Sequence, residues 1–375
     1  MKLLYCIHST YNSGGMERIL SEKVNYLADI LGYDITVVTT EQQNRPHFYN
    51  FSSKILFIDL GINYDDLSIN GIVKKVLMRI KKQRKHRKLL TSLLLASHYD
   101  VVISMFERET SFLYKINDGS KKCLELHFSR FVRTQRNPKG LKNVLAKIMA
   151  YFDEIHAKHY DRFIVLTNED KEYWKRCKNV LVIPNPAIQY NNIVSTLTNK
   201  QVTAIGRLDY QKGFDSLIRS WRKVNKACPE WILQIYGEGA LLEPLMDEIT
   251  KLNLENSVFI NPPTKHIEEV YAQSSIVVSS SHYEGFPLVL LESISCGIPI
   301  VSYAYKCGPK DLIDNGVNGL LVKYGDEESL SNALIEIIQN ETLRFAMGKN
   351  AYLKATDFSL ENIMSKWHEL FNSLV

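Results

Sequence analysis

The sequence predicts an α/β protein with two domains in tandem, each built on a parallel sheet covered by helices on both faces. Short apolar runs alternate with helical stretches along two series, and a polar stretch at about 187–200 separates them. The 375 residues suffice for two or three domains of ordinary size. A content of 45% hydrophobic and 23% charged residues is typical of a core-forming chain.

The first series contains six strand-like runs and three longer helical stretches. The strands are predicted at Leu3–His8, Ile35–Thr39, Ile55–Leu60, Val101–Met105, Cys123–His127 and Phe163–Leu166, and the helices at Met16–Leu31, Ile72–Ser97 and Leu141–His159. Short apolar runs between helices indicate strands buried on both faces of a parallel sheet.

The second series repeats this alternation and then ends in helices only. Strands are predicted at Val202–Ile205, Ile232–Tyr236, Val258–Ile260, Ile276–Ser279, Ile300–Tyr303 and Leu320–Val322, and helices at Phe214–Val224, Leu241–Leu252 and Leu288–Ser295. Both series are therefore interpreted as Rossmann-like domains. Because such sheets bind ligands at the carboxyl ends of their strands, we expect a ligand cleft between two facing sheets.

The distribution of charge along the chain and the spacing of the cysteines exclude several classes of protein. Residues 1–190 carry 30 Lys and Arg against 19 Asp and Glu, a net charge of +11, whereas residues 191–375 carry 16 against 22, a net charge of −6. The six cysteines form no C-x-x-C pair, so we expect reduced thiols in the cytoplasm. The first residues are expected to form a strand rather than a signal peptide, and no run reaches the roughly 18 apolar residues of a membrane span.

The most informative segment links a strand to a helix in the second series. Glu284 and a turn at Gly285-Phe286 follow the strand Ile276–Ser279. Pro287 then opens a helix where its missing N–H is tolerated, and the free N–H groups of that helix start suit a phosphate. Glu292 lies about 7 Å farther along the helix. The two carboxylates can therefore bind hydroxyls on either side of a diphosphate, although two surface glutamates beside a helix start would give the same spacing.

A second segment supplies positive charge. Arg207 and Lys212 lie in a loop bounded by Gly206 and Gly213, directly after the first strand of the second domain. An Arg can hold phosphate oxygens bidentately and a Lys adds a point charge, so together they can offset a departing nucleoside diphosphate. A solvated basic turn is the alternative.

A third segment, Ser13-Gly14-Gly15, joins the first strand to the first helix. It lacks the G-x-G-x-x-G spacing of a dinucleotide site. Paired glycines at a helix start permit a close approach of the backbone to a ligand, and a plain tight turn is equally consistent with them.

Together these three segments resemble the retaining glycosyltransferases of family 4, which have the GT-B fold. The resemblance spans nearly the whole chain and also covers Val182-Ile183-Pro184-Asn185-Pro186, Leu126-His127 and Gly308-Pro309-Lys310-Asp311. It implies an N-terminal acceptor domain at 1–186, a nucleotide-sugar domain at 187–357 and a C-terminal helix at 358–375 that packs back on the first domain. It is closest to a bacterial branch that extends lipid-linked oligosaccharides and exopolysaccharides.

The resemblance also implies roles for individual residues. Arg207 and Lys212 would hold the diphosphate, Glu284 would bind the donor sugar, and Glu292 would bind the ribose. His127 corresponds to a histidine that contacts the sugar, although a lone His is often structural. The remaining donor-binding positions implied are Gly14, Gly15, Gly237, Pro263, Tyr271, Gly285, Phe286, Pro287, Leu288 and Val289.

The expected reaction is the metal-independent transfer of a hexose or N-acetylhexosamine of the Gal, GalNAc or Glc type from a UDP-sugar, with no cofactor. The sequence has no Asp-x-Asp, so Arg207 and Lys212 are expected to replace a metal ion. In such retaining enzymes the acceptor hydroxyl attacks from the face that the diphosphate leaves. Catalysis then consists of positioning and charge stabilisation.

A basic helix in the first domain suggests the partner. Between Asp66 and Asp100 the chain has no acidic residue, and apolar residues recur there at helical spacing. The basic residues are Lys74, Lys75, Arg79, Lys81, Lys82, Arg84, Lys85, Arg87 and Lys88. This pattern favours peripheral binding to the anionic inner face of the cell membrane, where a polyprenyl-diphosphate-linked acceptor resides. A solvated helix whose apolar stripe packs on the sheet is the alternative, and nucleic acid is not expected because aromatic residues are not interleaved.

Two other functions remain open. One is a sugar-nucleotide epimerase of the GT-B fold, which would act on a UDP-sugar without an acceptor. The other is a non-catalytic scaffold that binds nucleotide sugars or lipids. A scaffold would be expected to lose Glu284, Arg207 or Lys212, and all three are present.

Overall fold

The computed structural model describes residues 1–65, 72–136, 139–187 and 193–375. The chain forms two compact units, of which unit 1 comprises Met1–Ile183 with Met364–Val375, and unit 2 comprises Pro184–Ile363. The first boundary lies three residues before the predicted one at 186, and the last segment joins unit 1 at residue 364 rather than 358. The linker predicted at 187–200 falls partly at 188–192, outside the described residues.

The described part of unit 1 contains a seven-stranded parallel sheet. Its strands are β1 (Lys2–Ile7), β2 (Asp34–Thr39), β3 (Leu56–Asp59), β4 (Val101–Ser104), β5 (Lys121–Glu125), β6 (Arg162–Val165) and β7 (Val180–Val182). Their spatial order is β3-β2-β1-β4-β5-β6-β7. The predicted parallel sheet is confirmed, and β7 is a strand that the sequence pattern did not reveal because it has only three residues.

Helices connect these strands. They are α1 (Gly15–Asp29), α2 (Ile72–Ser97), α3 (Val132–Arg136), α4 (Gly140–Ala157) and α5 (Asn168–Tyr173), with short 3₁₀ turns at Arg108–Ser111 and Leu113–Lys115. The register pairs Ile7 of β1 with Thr39 of β2, and Cys6 with Ser104 of β4. Because the strands are parallel, their carboxyl ends and the loops that follow lie at one edge of the sheet.

The described part of unit 2 repeats the architecture with six strands. They are β8 (Gln201–Ile205), β9 (Ile232–Tyr236), β10 (Val258–Asn261), β11 (Ile276–Ser279), β12 (Ile300–Tyr303) and β13 (Gly319–Val322). All neighbours pair in parallel, in the spatial order β10-β9-β8-β11-β12-β13. The order reverses between β8 and β11, which makes the loops after these two strands the expected ligand site of the sheet.

The helices after Pro184 belong to unit 2, except that the last one lies mostly in unit 1. They are α6 (Phe214–Ala227), α7 (Leu242–Lys251), α8 (Ile267–Gln273), α9 (Leu288–Ser295), α10 (Pro309–Leu312), α11 (Glu327–Gln339), α12 (Glu341–Ala355) and α13 (Leu360–Asn372), with 3₁₀ turns at Tyr210–Lys212 and Thr356–Phe358. The prediction of helices alone after Asp326 is confirmed.

Apolar residues at helical spacing hold each unit together. In α6, Leu217, Trp221 and Val224 are fully buried in the core of unit 2. Complete burial of an aliphatic side chain stabilises a fold by about 1.5–3 kcal/mol relative to exposure. In unit 1, Phe371 of α13 is buried, and the Tyr33 hydroxyl lies 2.7 Å from Nδ1 of His368.

Candidate functional site

Two loops of unit 2 meet at the point where the strand order reverses. One loop follows β8 and contains Lys212, and the other follows β11 and contains Glu284. The backbone N–H of His282 donates to the Gln211 carbonyl at 2.7 Å, and the Ser280 hydroxyl donates to the Lys212 carbonyl at 2.9 Å. The two motifs found in the sequence are therefore joined in the fold.

The Glu284 carboxylate is fixed by three donors. Lys212 Nζ lies 2.8 Å from Oε1, the Ser281 hydroxyl lies 2.9 Å from Oε1, and Nε2 of Gln211 lies 3.0 Å from Oε2. The side chains of Lys212 and Glu284 are 17% and 11% exposed, so this pair is only partly screened by solvent. Such an arrangement holds one carboxylate in a single orientation beside a cation.

Glycine is required at Gly206 for Lys212 to reach this position. Gly206 has φ near +156°, and a Cβ built there would lie 2.5 Å from Cε of Lys212. A Cβ on Gly237 would lie 1.8 Å from the Gly206 carbonyl oxygen. The lysine stem thus crosses directly over one glycine while the end of β9 packs against the same loop.

Arg207 is placed differently from Lys212. Its side chain is 67% exposed and lies 3.2 Å from Oδ2 of Asp209 and 3.2 Å from Oε1 of Gln211. An exposed pair of this kind contributes little to stability. The guanidinium can therefore move to a ligand at small cost, whereas the Lys212 ammonium is already fixed.

Helix α9 begins directly after the Glu284 loop. Pro287 is its N-terminal cap residue, and the helix runs over Leu288–Ser295 as predicted. The carbonyl oxygen of Pro287 accepts from the N–H groups of Leu290 and Leu291, so the N–H groups of Leu288 and Val289 belong to the first turn, which has no partners within the helix. These groups and the helix dipole favour an anion at this end.

The Glu292 carboxylate lies inside unit 2 rather than on its surface. Glu292 and Tyr271 are both buried, and the Tyr271 hydroxyl donates to Oε2 of Glu292 at 2.7 Å. Phe286 is buried beside Phe358, Gly285 is half-buried, and Pro263 is exposed in the loop after β10. The donor-binding positions predicted from the sequence therefore range from buried, as at Tyr271 and Phe286, to exposed, as at Pro263.

His127 belongs to a buried network in unit 1. It lies two residues after β5, and its Nε2 is 3.1 Å from Oε1 of Glu125, out of line for a good hydrogen bond. Lys23 Nζ of α1 lies 2.5 Å from both carboxylate oxygens of Glu125, and the two side chains are 1% and 2% exposed. Trp367 of α13 places its ring centroid 4.0 Å from the same ammonium.

Burial and neighbouring charges shift the pKa values of Glu125 and Lys23. Burial raises the pKa of Glu125, but Lys23 and then His127 lower it more strongly, and it falls to about 2. Burial lowers the pKa of Lys23, and the Glu125 carboxylate opposes that shift. Glu125 is therefore an anion over the whole physiological range.

Other groups cluster at the same edge of the unit 1 sheet. Gly14 and Gly15 form the start of α1, as predicted, and burial raises the pKa of Glu17 in its first turn. After β4, burial raises the pKa of Glu107 to about 8 and that of Glu109 to about 7. The Ser104 hydroxyl donates to Glu109 at 2.6 Å.

The two halves of the basic helix α2 differ in how far their apolar side chains are buried. Its C-terminal leucines Leu90 and Leu94 are fully buried in the core of unit 1. The apolar residues of its N-terminal half are exposed, however, namely Val73, Val76, Leu77 and Ile80. The alternative stated above, an apolar stripe that packs on the sheet, therefore holds only for the second half of the helix. Of the nine predicted basic residues, Lys82 is half-buried and the other eight are exposed.

Several functional candidates were not found from the sequence. Gln211 and Ser281 fix Glu284, and Lys23 and Glu125 surround His127. Gln211 lies between the motif residues Arg207 and Lys212, and this position could have indicated that it belongs to the site. The Lys23–Glu125 contact joins residues 102 apart, and no local pattern marks it.

Two kinds of feature are absent from the described residues. In that part of the chain, no three His, Cys, Asp or Glu side chains are grouped as metal ligands would be. No helix among the described residues is long and apolar enough to span a membrane.

Comparison with known proteins gives the enzyme class. Residues 190–354 match the model described as "Glycosyl transferases group 1". A glycosyltransferase of Haemophilus influenzae is 28% identical over 370 residues, with 98% of each chain covered. Residues 190–354 therefore belong to the group 1 glycosyltransferases, and the chain as a whole is a glycosyltransferase. The enzyme class expected from its motifs is thereby confirmed.

Two further similarities concern the acceptor and the fold. An α-1,4-N-acetyl-D-galactosaminyltransferase of Campylobacter jejuni, named for a PP-undecaprenol-linked acceptor, is 26% identical over 376 residues and covers 99% of this glycosyltransferase and 98% of its own chain. A solved structure of S. aureus TarM in complex with UDP and other ligands has a TM-score of 0.76, 16% identity and 99% coverage of both chains. That likeness shows the fold alone, and the predicted GT-B fold is confirmed.

Proposed function

We propose that this glycosyltransferase moves a hexose or N-acetylhexosamine, of the Gal, GalNAc or Glc type, from a UDP-sugar to a lipid-linked or polysaccharide acceptor in bacterial surface-glycan synthesis. The observation that carries the proposal is the Glu284 carboxylate, held by three donors beside the Lys212 ammonium 2.8 Å away. The pair lies at the switch point of the unit 2 sheet, directly before a helix start. This combination suits a donor with a sugar on one side of a diphosphate.

In the proposed donor complex, two cations and a helix start face the negative charge of the diphosphate. Lys212 and Arg207 bind the diphosphate together with the first-turn N–H groups of Leu288 and Val289. Glu284 accepts hydrogen bonds from hydroxyls of the sugar. Because the Lys212 ammonium lies 2.8 Å from this carboxylate, it reduces the repulsion between the carboxylate and a dianionic ligand.

Glu292 is proposed to bind the ribose hydroxyls, with Tyr271 as its positioning partner. The hydrogen bond between the two is 2.7 Å long and buried. Gly237, Pro263, Gly285 and Phe286 line the loops where the base and the sugar are proposed to lie, and Gly14, Gly15 and His127 are the proposed contacts from unit 1.

The proposed chemistry is substitution with retention. The bond between the anomeric carbon and the phosphate oxygen breaks, and its electron pair leaves with UDP. The acceptor hydroxyl bonds to the anomeric carbon from the same face, and its proton passes to a departing phosphate oxygen. The protein stabilises the leaving charge through Lys212, Arg207 and the helix start. The α linkage in the name of the C. jejuni relative supports this stereochemistry.

We also propose that no metal ion or cofactor takes part. The two cations near Glu284 supply positive charge where a metal ion would otherwise bridge the diphosphate. Addition of EDTA should therefore leave turnover unchanged. A loss restored by Mg²⁺ or Mn²⁺ would contradict this part of the proposal.

The proposed location is the cytoplasmic face of the cell membrane, where the protein would be peripheral. The PP-undecaprenol acceptor in the name of the C. jejuni relative supports a polyprenyl-diphosphate acceptor. The exposed basic residues of α2 are the proposed site of attraction to anionic lipids and to the diphosphate of the acceptor. No nucleic-acid partner is proposed.

The test is a transfer assay with purified protein, a polyprenyl-diphosphate glycan acceptor and a panel of donors: UDP-Gal, UDP-GalNAc, UDP-Glc, UDP-GlcNAc and GDP-Man. Glu284→Gln and Lys212→Ala should each reduce transfer about 10²–10³-fold, the usual effect of removing one fixed stabilising group. Lys223→Ala is the matched control, because Lys223 forms another ion pair of unit 2, with Glu328, on the outer helices.

The outcomes separate the alternatives. Wild-type turnover in either variant would refute the assigned site. Conversion of a UDP-sugar without an acceptor would favour an epimerase, and the absence of turnover with every donor despite UDP binding would favour a scaffold. The anomeric configuration of the product, measured by NMR, tests retention directly.

A further inference from the structure

Helix α4 presents an unusual distribution of side chains. The residues it buries include two alanines, Ala146 and Ala157, together with Glu154. Its large apolar residues instead lie on the solvent side, between 47% and 77% exposed, namely Leu141, Val144, Leu145, Ile148, Met149 and Phe152. We call these six residues the α4 apolar face.

The six residues form one continuous stripe. Their spacings of three and four residues place them on a single side of a helix, over about 17 Å of its length. Scattered exposed apolar side chains need no explanation, but a contiguous apolar patch on a soluble protein usually marks a binding surface. The core of unit 1 does not account for this stripe, because the helix packs on the unit through its small residues.

Charges around the stripe are all of one sign. Residues 139–152 contain three lysines, Lys139, Lys142 and Lys147, and no Asp or Glu, and the three lysines are exposed. The next two acidic residues of the helix bind arginines, with Asp153 at 2.6 Å from Arg133 Nε. The helix therefore exposes cations beside apolar side chains and directs its carboxylates to internal partners.

The first half of α2 has the same combination. Exposed apolar residues (Val73, Val76, Leu77) alternate there with exposed Lys74 and Lys75. Beside α4, a groove of about 410 Å³ continues the apolar face. The groove is lined by Phe128, Val132, Leu145, Ala146 and Met149, with Arg133 and Lys142 on its wall.

We propose that the α4 apolar face enters the boundary between headgroups and acyl chains of an anionic bilayer. An amphipathic helix with Lys on its flanks and large apolar residues between them has the chemistry of an interfacial membrane helix. A second copy of the chain fits less well, because a two-fold contact through this face would bring like-charged lysines together. The proposal deepens the proposed function in that it identifies the element that brings the enzyme to a lipid-linked acceptor.

The test is co-sedimentation with phosphatidylethanolamine vesicles that contain phosphatidylglycerol, compared with vesicles of phosphatidylcholine alone. Leu145→Glu should lower the partition coefficient for the anionic vesicles at least about tenfold, because a carboxylate replaces a buried methyl group in the bilayer. Leu353→Glu on α12 is the matched control, since Leu353 is 56% exposed and Leu145 is 54% exposed. The control should bind as the wild type does.

Two further measurements keep the result interpretable. Circular dichroism and the melting temperature report whether Leu145→Glu folds, and Phe152→Glu provides a second disruption of the face away from the groove. Equal vesicle binding by both folded variants and the wild type would overturn the proposal. A wild-type dimer that Leu145→Glu converts to a monomer in sedimentation equilibrium would also overturn it, in favour of a second copy.

Vesicle binding needs neither donor nor acceptor. A protein that binds vesicles through α4 but transfers no sugar would refute the proposed function and leave this inference standing. A protein that transfers sugar to a short-chain acceptor in solution, but whose vesicle binding is unaffected by Leu145→Glu, would give the reverse result.

Discussion

The buried Lys23–Glu125 pair gives the sharpest prediction about the stability of unit 1. Substitution Lys23→Met keeps the length of the side chain and removes its charge. The Glu125 carboxylate is 2% exposed and would then remain buried without the ammonium that lies 2.5 Å away. Leaving one member of a buried ion pair uncompensated costs about 3–5 kcal/mol. The lost contact with the Trp367 ring adds to that cost.

The reciprocal substitution and the double variant complete the cycle. Glu125→Met leaves the Lys23 ammonium buried without its carboxylate and should cost a similar amount. Lys23→Met combined with Glu125→Met removes both charges, and replacing a buried pair by apolar residues is often neutral or stabilising. The double variant should therefore be more stable than either single variant, although each of its substitutions alone is destabilising.

Hydrogen exchange of the β1 and β5 amides is the appropriate assay, because it reports the opening of unit 1 separately from unit 2. The free energy of opening should fall in both single variants and recover in the double variant. A single variant within about 1 kcal/mol of the wild type, or a double variant no better than the singles, would refute the uncompensated-charge explanation. Transfer activity of the double variant then tells whether His127 needs Glu125 as a positioning residue.

Two further predictions concern single side chains. Burial lowers the pKa of His86 to about 4, so the unfolded chain binds more protons between about pH 4 and pH 6.5 and stability should fall by about 3 kcal/mol as the pH drops through that window. His86→Gln should flatten that part of a pH series of urea midpoints, and parallel curves for both proteins would contradict it. Tyr271→Phe removes the 2.7 Å hydrogen bond to buried Glu292 and should weaken UDP binding about tenfold in calorimetry. Unchanged affinity would argue against Glu292 as the ribose ligand.

Strands and helix starts were predicted correctly where a few neighbouring residues define them. The strands Ile232–Tyr236 and Ile276–Ser279 have the predicted bounds, because each is an apolar run between turn or loop residues. Helix α9 begins after Pro287, as expected for a residue that fixes φ and lacks an N–H. β7 was missed because a strand of three residues is too short to show a periodic pattern.

The candidate site was predicted in part. Lys212 and Glu284 were identified from the motifs, and so was the helix start that follows. Their contact spans 72 residues of sequence and depends on β8 and β11 being neighbours in the sheet. Ser281 has no sequence signature, and the position of Gln211 between two motif residues does not reveal its partner, because both contacts with Glu284 arise only where the two loops meet.

The sequence by itself determined two parallel-sheet domains, the glycosyltransferase motifs and a strongly basic first half. Those properties follow from residue type and spacing along the chain. The tertiary structure decided which apolar faces are covered. Helical spacing gives α2 and α4 a stripe each, but only contacts with the sheet reveal that Leu90 is buried while Leu145 and Leu77 are exposed. Burial is a property of neighbours distant in sequence, and periodicity alone cannot tell a core face from a binding face.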